Sequence, residues 1–332
     1  MKKKFSMVIG NPPYQDDTTG DNKNFAPPVY NKIMEAAHKV ADKTILITPA
    51  RFLFDAGGTP KDFNRRMLND PHFKVLDYAP DARKYFNGVD IEGGVAVTLY
   101  DHNKTFEPIG TFIPYPELKT IHQKVVVDNP DFRPFSEIIY PRAIYRFVEN
   151  NSFVDTNAFE KMRKLFFDAK PDDGNEYIQV LGRQSNKRVL KWVRRDYVTH
   201  HESLEKFKVF VPKSFGRSNL GEGAGQLISP PAVGEPLVGC TQTFVTIGAF
   251  DSRAEAEACL TYVKSKFARA MLGILKITQD NPPSTWAKVP LQDFSATSDI
   301  DWRGAVDAQL YRKYGLSEAE IDFIERHVKA MD

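Results

Sequence analysis

The sequence predicts an α/β chain: the second half of a sheet, followed by a mixed α+β unit. Two observations support this. Short apolar runs alternate with helical patterns through the first hundred residues, and the last two runs then follow one another, strand on strand. After Asp101 that alternation gives way to short strands, polar turns and basic positions, which places a boundary near residue 105 and divides the chain into 1–105 and 106–332.

In chain order, Phe5–Ile9 reads as a short strand ending at Asn11-Pro12-Pro13-Tyr14. Residues 15–28 are polar and proline-rich, the composition of a loop that orders on binding. Ile33, Ala36, Ala37 and Val40 recur at helical spacing within Val29–Val40. Thr44–Thr48 is apolar and stops at Pro49. Thr59-Pro60 reads as an N-cap with proline at the first helical position, opening a helix to about Leu68. Phe73–Tyr78 and Gly94–Tyr100 are two further strands. In the second part, Ser252 with Glu255 and Ser317 with Glu320 are capping boxes, for helices reaching about Leu275 and Lys329. Residues 279–300 read mostly as connecting chain.

Composition narrows the class. A chain of 332 residues has room for two domains with cores of their own, and 42% hydrophobic content makes it a folded one. No apolar stretch is long enough to span a bilayer, and Met1–Lys4 is not followed by a signal peptide's apolar length. Cys240 and Cys259 alone exclude a disulfide scaffold and a cysteine-rich zinc site, and they fit a reducing cytoplasm. Seven scattered histidines assemble no metal motif. The net charge of +2 is uneven: residues 181–220 hold ten Lys/Arg against three Asp/Glu, a local +7 that leaves −5 elsewhere. Such a concentration marks either an anionic partner or an ordinary solvated face.

The turn at Asn11 carries chemistry. The lone pair of an exocyclic adenine amine is delocalised into the ring, so the amine attacks an electrophilic methyl group poorly. A polar acceptor pair orients it and favours tetrahedral character. Asn11 offers a side-chain carbonyl and Pro12 a backbone carbonyl, the prolines fix the turn at little entropic cost, and Tyr14 offers a ring to stack on the base. A base inside a duplex must first be flipped out. The plain alternative is a strand-ending turn, since Asn-Pro commonly opens one.

Asn11-Pro12-Pro13-Tyr14 resembles the catalytic motif of amino-group DNA methyltransferases, in the adenine-N6 branch. Ile47-Thr48-Pro49-Ala50-Arg51-Phe52-Leu53 and Asp90-Ile91-Glu92-Gly93-Gly94-Val95-Ala96-Val97 resemble the segments that follow it. The match is to the gamma-class methylases of bacterial type II restriction-modification systems, including fused restriction-modification enzymes. It extends through a target-recognition region that includes Gly239-Cys240-Thr241-Gln242-Thr243-Phe244.

The resemblance implies a Rossmann-like methyltransferase sheet, represented by its C-terminal half in 1–105, and a DNA-binding target-recognition domain with C-terminal helices in 106–332. It implies that Asn11 and the Pro12 carbonyl bind the target amine while Tyr14 stacks. The family often adds a second aromatic from a later loop; Phe86 is the candidate, with Tyr85 as fallback, and Phe86 could equally be core. The implied activity is site-specific methyl transfer from S-adenosylmethionine to adenine N6 in double-stranded DNA, with no metal. A catalytically inactive sequence-recognition module is the alternative, and a methylase for another macromolecule is a third reading.

In the gamma order the glycine-rich cofactor loop and the acidic ribose ligand precede the catalytic motif, and here only ten residues do. The expectation is a chain that lacks the cofactor-binding half and pairs with an N-terminal methyltransferase fragment or subunit. Gly221-Glu222-Gly223-Ala224-Gly225 is a poor substitute, because Gln226–Pro231 is a poor helix start. Asn281-Pro282-Pro283-Ser284 imitates the motif at an expected helix end, and helix termination is its plainer reading.

For DNA binding, Arg183, Lys187, Arg188, Lys191, Arg194 and Arg195 occur with Trp192 and Tyr197, and Lys208, Lys213 and Arg217 extend the basic region. Basic side chains neutralise phosphates, which gives affinity rather than sequence choice. Trp192 also suits a core position. Cys240 has no neighbouring base in the sequence to activate it, and there is no paired-carboxylate nuclease motif.

Overall fold

The computed structural model describes residues 4–16, 26–215, 220 and 228–331. The chain divides into two compact units, Met1–Pro116 and Glu117–Asp332.

The first unit is built on a four-stranded sheet. Its strands are β1 (Phe5–Gly10), β2 (Ala41–Pro49), β3 (Phe73–Ala79) and β4 (Val95–Asp101), in the order β1-β2-β4-β3. β1 runs parallel to β2, whereas β4 is antiparallel to both β2 and β3. β1, β2 and β3 therefore point the same way, and the turns after all three gather at one end of the sheet. Parallel neighbours need a crossover, supplied between β1 and β2 by α1 (Tyr30–Val40). That helix buries Tyr30, Asn31, Met34, Ala37 and His38, one face at helical spacing.

A short 3₁₀ turn (Ala50–Phe54) and α2 (Lys61–Asn69) follow β2. Phe52 is fully buried, and its ring meets those of Tyr30, Phe63 and Phe73. Pro60 stands at the N-cap of α2 rather than at its first turn. The Thr59 hydroxyl does not cap, because it is spent on Asn64 Oδ1 at 2.7 Å.

The second unit opens with α3 (Pro116–His122), which runs on into a π turn (Gln123–Val127), and α4 (Ala158–Lys161). Two three-stranded sheets follow. One orders β6 (Lys187–Arg194), β5 (Tyr177–Gln184) and β9 (Val238–Cys240); the other orders β10 (Phe244–Phe250), β7 (Phe207–Pro212) and β8 (Ala232–Gly234). Their shared core includes Tyr145, Phe159, Val180, Val193, Phe210 and Phe244.

Four helices close the unit: α5 (Arg253–Lys264), α6 (Lys266–Leu272), α7 (Val306–Lys313) and α8 (Glu318–His327). Both capping boxes form, at Ser252/Glu255 and Ser317/Glu320. The single helix expected from Ser252 to Leu275 is instead two. Ser265 is extended (φ −59°, ψ 149°), and its hydroxyl accepts from the Ala268 N–H, restarting the helix as a serine N-cap does. The last helix stops at His327, where Val328 turns extended. Among the described residues no helix is long and apolar enough to cross a membrane.

Candidate active site at the carboxyl ends of the parallel strands

Ligands of open α/β sheets bind outside the carboxyl ends of the strands. Three segments meet there in the first unit: the Asn11–Tyr14 turn after β1, the Ala50–Ala56 turn after β2, and the loop from Pro80 to Gly94 that joins β3 to β4. Sequence fixes each locally. β1 must stop where Pro12 and Pro13 remove two N–H donors. Pro12 is buried, Asn11 and Pro13 are exposed, and Tyr14 is half-buried. Beyond the motif the chain is pinned, with Val29 N donating to Tyr14 O at 3.2 Å and Asp16 N to Pro27 O at 2.8 Å.

Asn11 is exposed, and no hydrogen bond holds its side-chain amide among the described residues. The Tyr14 hydroxyl is buried and has no hydrogen-bond partner among the described residues, and burial raises its pKa. The Tyr14 ring meets Phe86 edge to face, with centroids 6.5 Å apart and planes at 75°. Phe86 is half-buried and packs on Ala79, Ala82 and Val95, so it is both a core side chain and one wall of the site. Tyr85, the fallback, is exposed, and its hydroxyl donates to Asp77. It lies 6.4 Å from Phe86 and makes no ring contact with Tyr14 among the described pairs.

The loop that carries Phe86 is tied down by the turn after β2. Arg51 Nε donates to Glu92 O at 2.6 Å, Ala50 N donates to Gly94 O at 3.0 Å, and Arg51 and Glu92 form an ion pair at 3.6 Å. Arg51 was not among the residues picked as functional from sequence; the signal was its place in the Ile47–Leu53 segment. Together these contacts make an acceptor-bearing turn and two aromatic rings at one sheet end. That arrangement can hold a flat heterocycle against Tyr14 and orient a polar substituent toward Asn11.

The S-adenosylmethionine implied by the resemblance would need a glycine cradle between strand and helix. Neither Gly94 nor Gly10 makes one. A Cβ at Gly94 would lie 2.2 Å from Ala79 O, so the chain's own backbone already fills that space, and Gly10 leaves 4.0 Å to Leu46 Cδ2. Gly221–Gly225 lies outside the described residues. No step is therefore assigned to a donor site on this chain.

The second motif-like segment is structural. Asn281 is buried, its Oδ1 accepting from Trp286 Nε1 at 2.8 Å and from Thr285 Oγ1 at 3.2 Å. It staples the 3₁₀ turn Pro283–Trp286, and α6 has already ended at Leu272, so the segment does not terminate a helix as expected.

The basic positions separate into two groups. Lys191 pairs with Asp168, Arg194 with Asp196 and Arg195 with Glu205. Arg188 donates to Pro230 O at 2.5 Å and lies over the Phe244 ring. Arg183 donates to Asn186 O at 3.2 Å and has no carboxylate partner; no ion pair is formed by Lys187 or Lys213 among the described residues. Arg217 lies outside them. Lys208 is buried, its amine donating to the carbonyls of Leu204, Lys206 and Glu235, which removes it from any surface role. Trp192 is half-buried beneath Lys170. The Cys240 thiol is buried and its pKa is pushed up to about 12, which leaves it unreactive.

Residues 1–86 match the family model described as Eco57I restriction-modification methylase, a match that takes in Asn11, Tyr14, Arg51 and Phe86. A search of the curated proteins finds no match. Among solved structures, the type IIG restriction endonuclease BpuSI aligns over 97% of this chain and 54% of its own length, at 11% identity and a TM-score of 0.33. The chain thus spans about half the length of that protein. Over residues 1–86 the chain is thus similar to the Eco57I restriction-modification methylases.

Proposed function

We propose that this chain belongs to a restriction-modification system and takes part in site-specific methylation of adenine N6 in double-stranded DNA. The observation that carries the reading is the Asn11–Tyr14 turn at the sheet end, with Tyr14 and Phe86 set edge to face beside it. An adenine extruded from the duplex stacks on Tyr14, with Phe86, set edge to face against that ring, forming the adjacent wall. The Asn11 side-chain carbonyl and the Pro12 backbone carbonyl accept from its amine. As the amine attacks, those acceptors hold its hydrogens and favour a lone pair directed out of the ring plane. The prolines hold the turn in advance, so little ordering is left for the moment of reaction. S-adenosylmethionine is the donor we infer, and it supplies an electrophilic methyl group.

The open edge of β1 supports a second inference. Among the described residues β1 pairs only with β2, which leaves its other backbone edge open, and Phe5, Met7 and Ile9, at alternate positions on one face, are 55%, 44% and 70% exposed. An unpaired apolar edge invites another strand. We assign it to the N-terminal, cofactor-binding half of the methyltransferase sheet, supplied by another polypeptide segment. The two buried free cysteines accord with a cytoplasmic setting.

Methyl transfer to adenine-containing duplexes tests the reading, with this chain alone and with an N-terminal methyltransferase half added. The expected product is N6-methyladenine. Asn11→Ala should keep the fold and lose transfer by about a hundredfold or more, the scale of removing a positioned polar contact in a transition state. Undiminished transfer by a folded Asn11→Ala variant would reject the role given to that side chain.

A further inference from the structure

The β5–β6 hairpin turns on Ser185 and Asn186, both left-handed (φ 48° and 62°), the two-residue turn that suits a tightly twisted ribbon. Register sets its side chains. Arg183 lies directly opposite Arg188 on one face, continuous with Leu181/Leu190 and Gln179/Trp192. Gln184 lies opposite Lys187 on the other face, whose inner positions Val180 and Val193 are buried in the core. Two like charges directly opposed across a ribbon destabilise it unless an anion lies near.

Among the described residues no carboxylate relieves this pair. Arg188 turns toward the Pro230 carbonyl and the Phe244 ring, Arg183 finds only the Asn186 carbonyl, and desolvation together with Arg183 lowers the Arg188 pKa. At the base of the same hairpin the opposite holds, since Lys191, Arg194 and Arg195 each have a carboxylate partner. The exposed tip is therefore where positive charge is left over.

We propose that this tip, Arg183 to Arg188, is the element of the second unit that enters a groove of duplex DNA. Arg183 and Lys187, on opposite faces, meet phosphates of the two groove walls, and the side-chain amides of Gln184 and Asn186 between them meet base edges. A two-stranded ribbon fits the major groove, and a side-chain amide suits the donor and acceptor of an adenine edge. The inference rests on the DNA reading given above and adds which residues bind and which read.

The full chain and a labelled pool of random-sequence duplexes test it, with affinity measured against salt and the bound fraction sequenced. Arg183→Ala and Lys187→Ala should each weaken binding for all sequences and flatten the salt dependence by about one unit of slope. The charge-neutral double variant Arg194→Ala/Asp196→Ala should stay within about twofold of the parent, because that pair is already neutral. Gln184→Ala and Asn186→Gly should keep the slope and lose sequence preference; glycine tolerates the left-handed position, so the turn survives. Circular dichroism and melting confirm each fold. A parent chain without salt-dependent duplex binding would reject the DNA reading itself. A parent that binds, with Arg183→Ala and Lys187→Ala unchanged, overturns the hairpin assignment alone.

Discussion

At the scale of single residues, Tyr14 shows how the site is built. Its hydroxyl is buried without a partner among the described residues, which costs stability that a ring alone would not. Tyr14→Phe should therefore raise unfolding stability by about 1 kcal/mol while leaving base stacking intact; Tyr14→Ala should lose stacking worth about 1–3 kcal/mol in affinity for an extruded base. Urea unfolding and a fluorescent base analogue in the duplex read these two effects separately.

His122 gives a second residue-scale prediction. It is buried, its Nε2 has no partner among the described residues, and desolvation with Lys288 nearby pushes its pKa down to about 4 from 6.5. The folded state thus keeps it neutral, and the unfolded state takes the proton first as pH falls below 6.5. Stability should fall between pH 6.5 and 4, by about 1 kcal/mol near pH 5 after allowance for screening. His122→Phe should flatten that part of the urea-midpoint profile; an unchanged profile would place the acid sensitivity elsewhere. The turn at Asn11 was legible from sequence as the end of a strand, because Pro12 and Pro13 follow the apolar run directly. The setting of His122, Arg51 and Lys208 was not, because burial and carbonyl partners come from segments distant in the chain.

At the scale of elements, the loop between β3 and β4 joins packing to function. Gly94 has φ +75°, and a Cβ there would sit 2.2 Å from Ala79 O and 2.8 Å from Pro80 Cα. Both atoms are backbone, so neither can move aside without shifting the end of β3. Gly88, in the same loop, has φ +73° but nothing within 4 Å of its Cβ position. Gly94→Ala should cost more than about 2 kcal/mol, from clash added to strain, while Gly88→Ala should cost about 1 kcal/mol, the strain alone. Thermal melts of the two variants make the comparison, and equal losses would refute the close approach. The strands of this sheet were readable from apolar runs and Pro49, and their order rests on pairings between distant segments. The break at Ser265 was missed for a different reason. A serine inside a helical pattern does not announce whether its hydroxyl faces solvent or caps a new helix, and here it accepts from Ala268 N.

At the scale of the whole molecule, charge is the property most easily misread from sequence. Residues 181–220 carry a formal +7. Were each of those charges to displace a counterion from DNA, log K would fall against log salt with a slope of about −6. The fold distributes them otherwise. Lys191, Arg194, Arg195 and Lys206 are held by Asp168, Asp196, Glu205 and Asp251, and three of those four acids come from at least ten residues away in the chain or from outside the basic stretch. Lys208 is buried among carbonyls, and Arg188 is turned toward Pro230 and Phe244. Arg183, Lys187 and Lys213 remain among the described residues without an ion pair. Three such cations give a slope of about −3. Duplex affinity measured over a range of salt concentrations decides between the two values. A slope near −3 that flattens to about −2 in Arg183→Ala assigns the contact to the unpaired set, whereas a slope near −6 would mean that DNA pulls the paired cations away from their acids. The second outcome is disfavoured for Lys191, which is largely buried beside Asp168 and would have to be re-exposed to reach a phosphate.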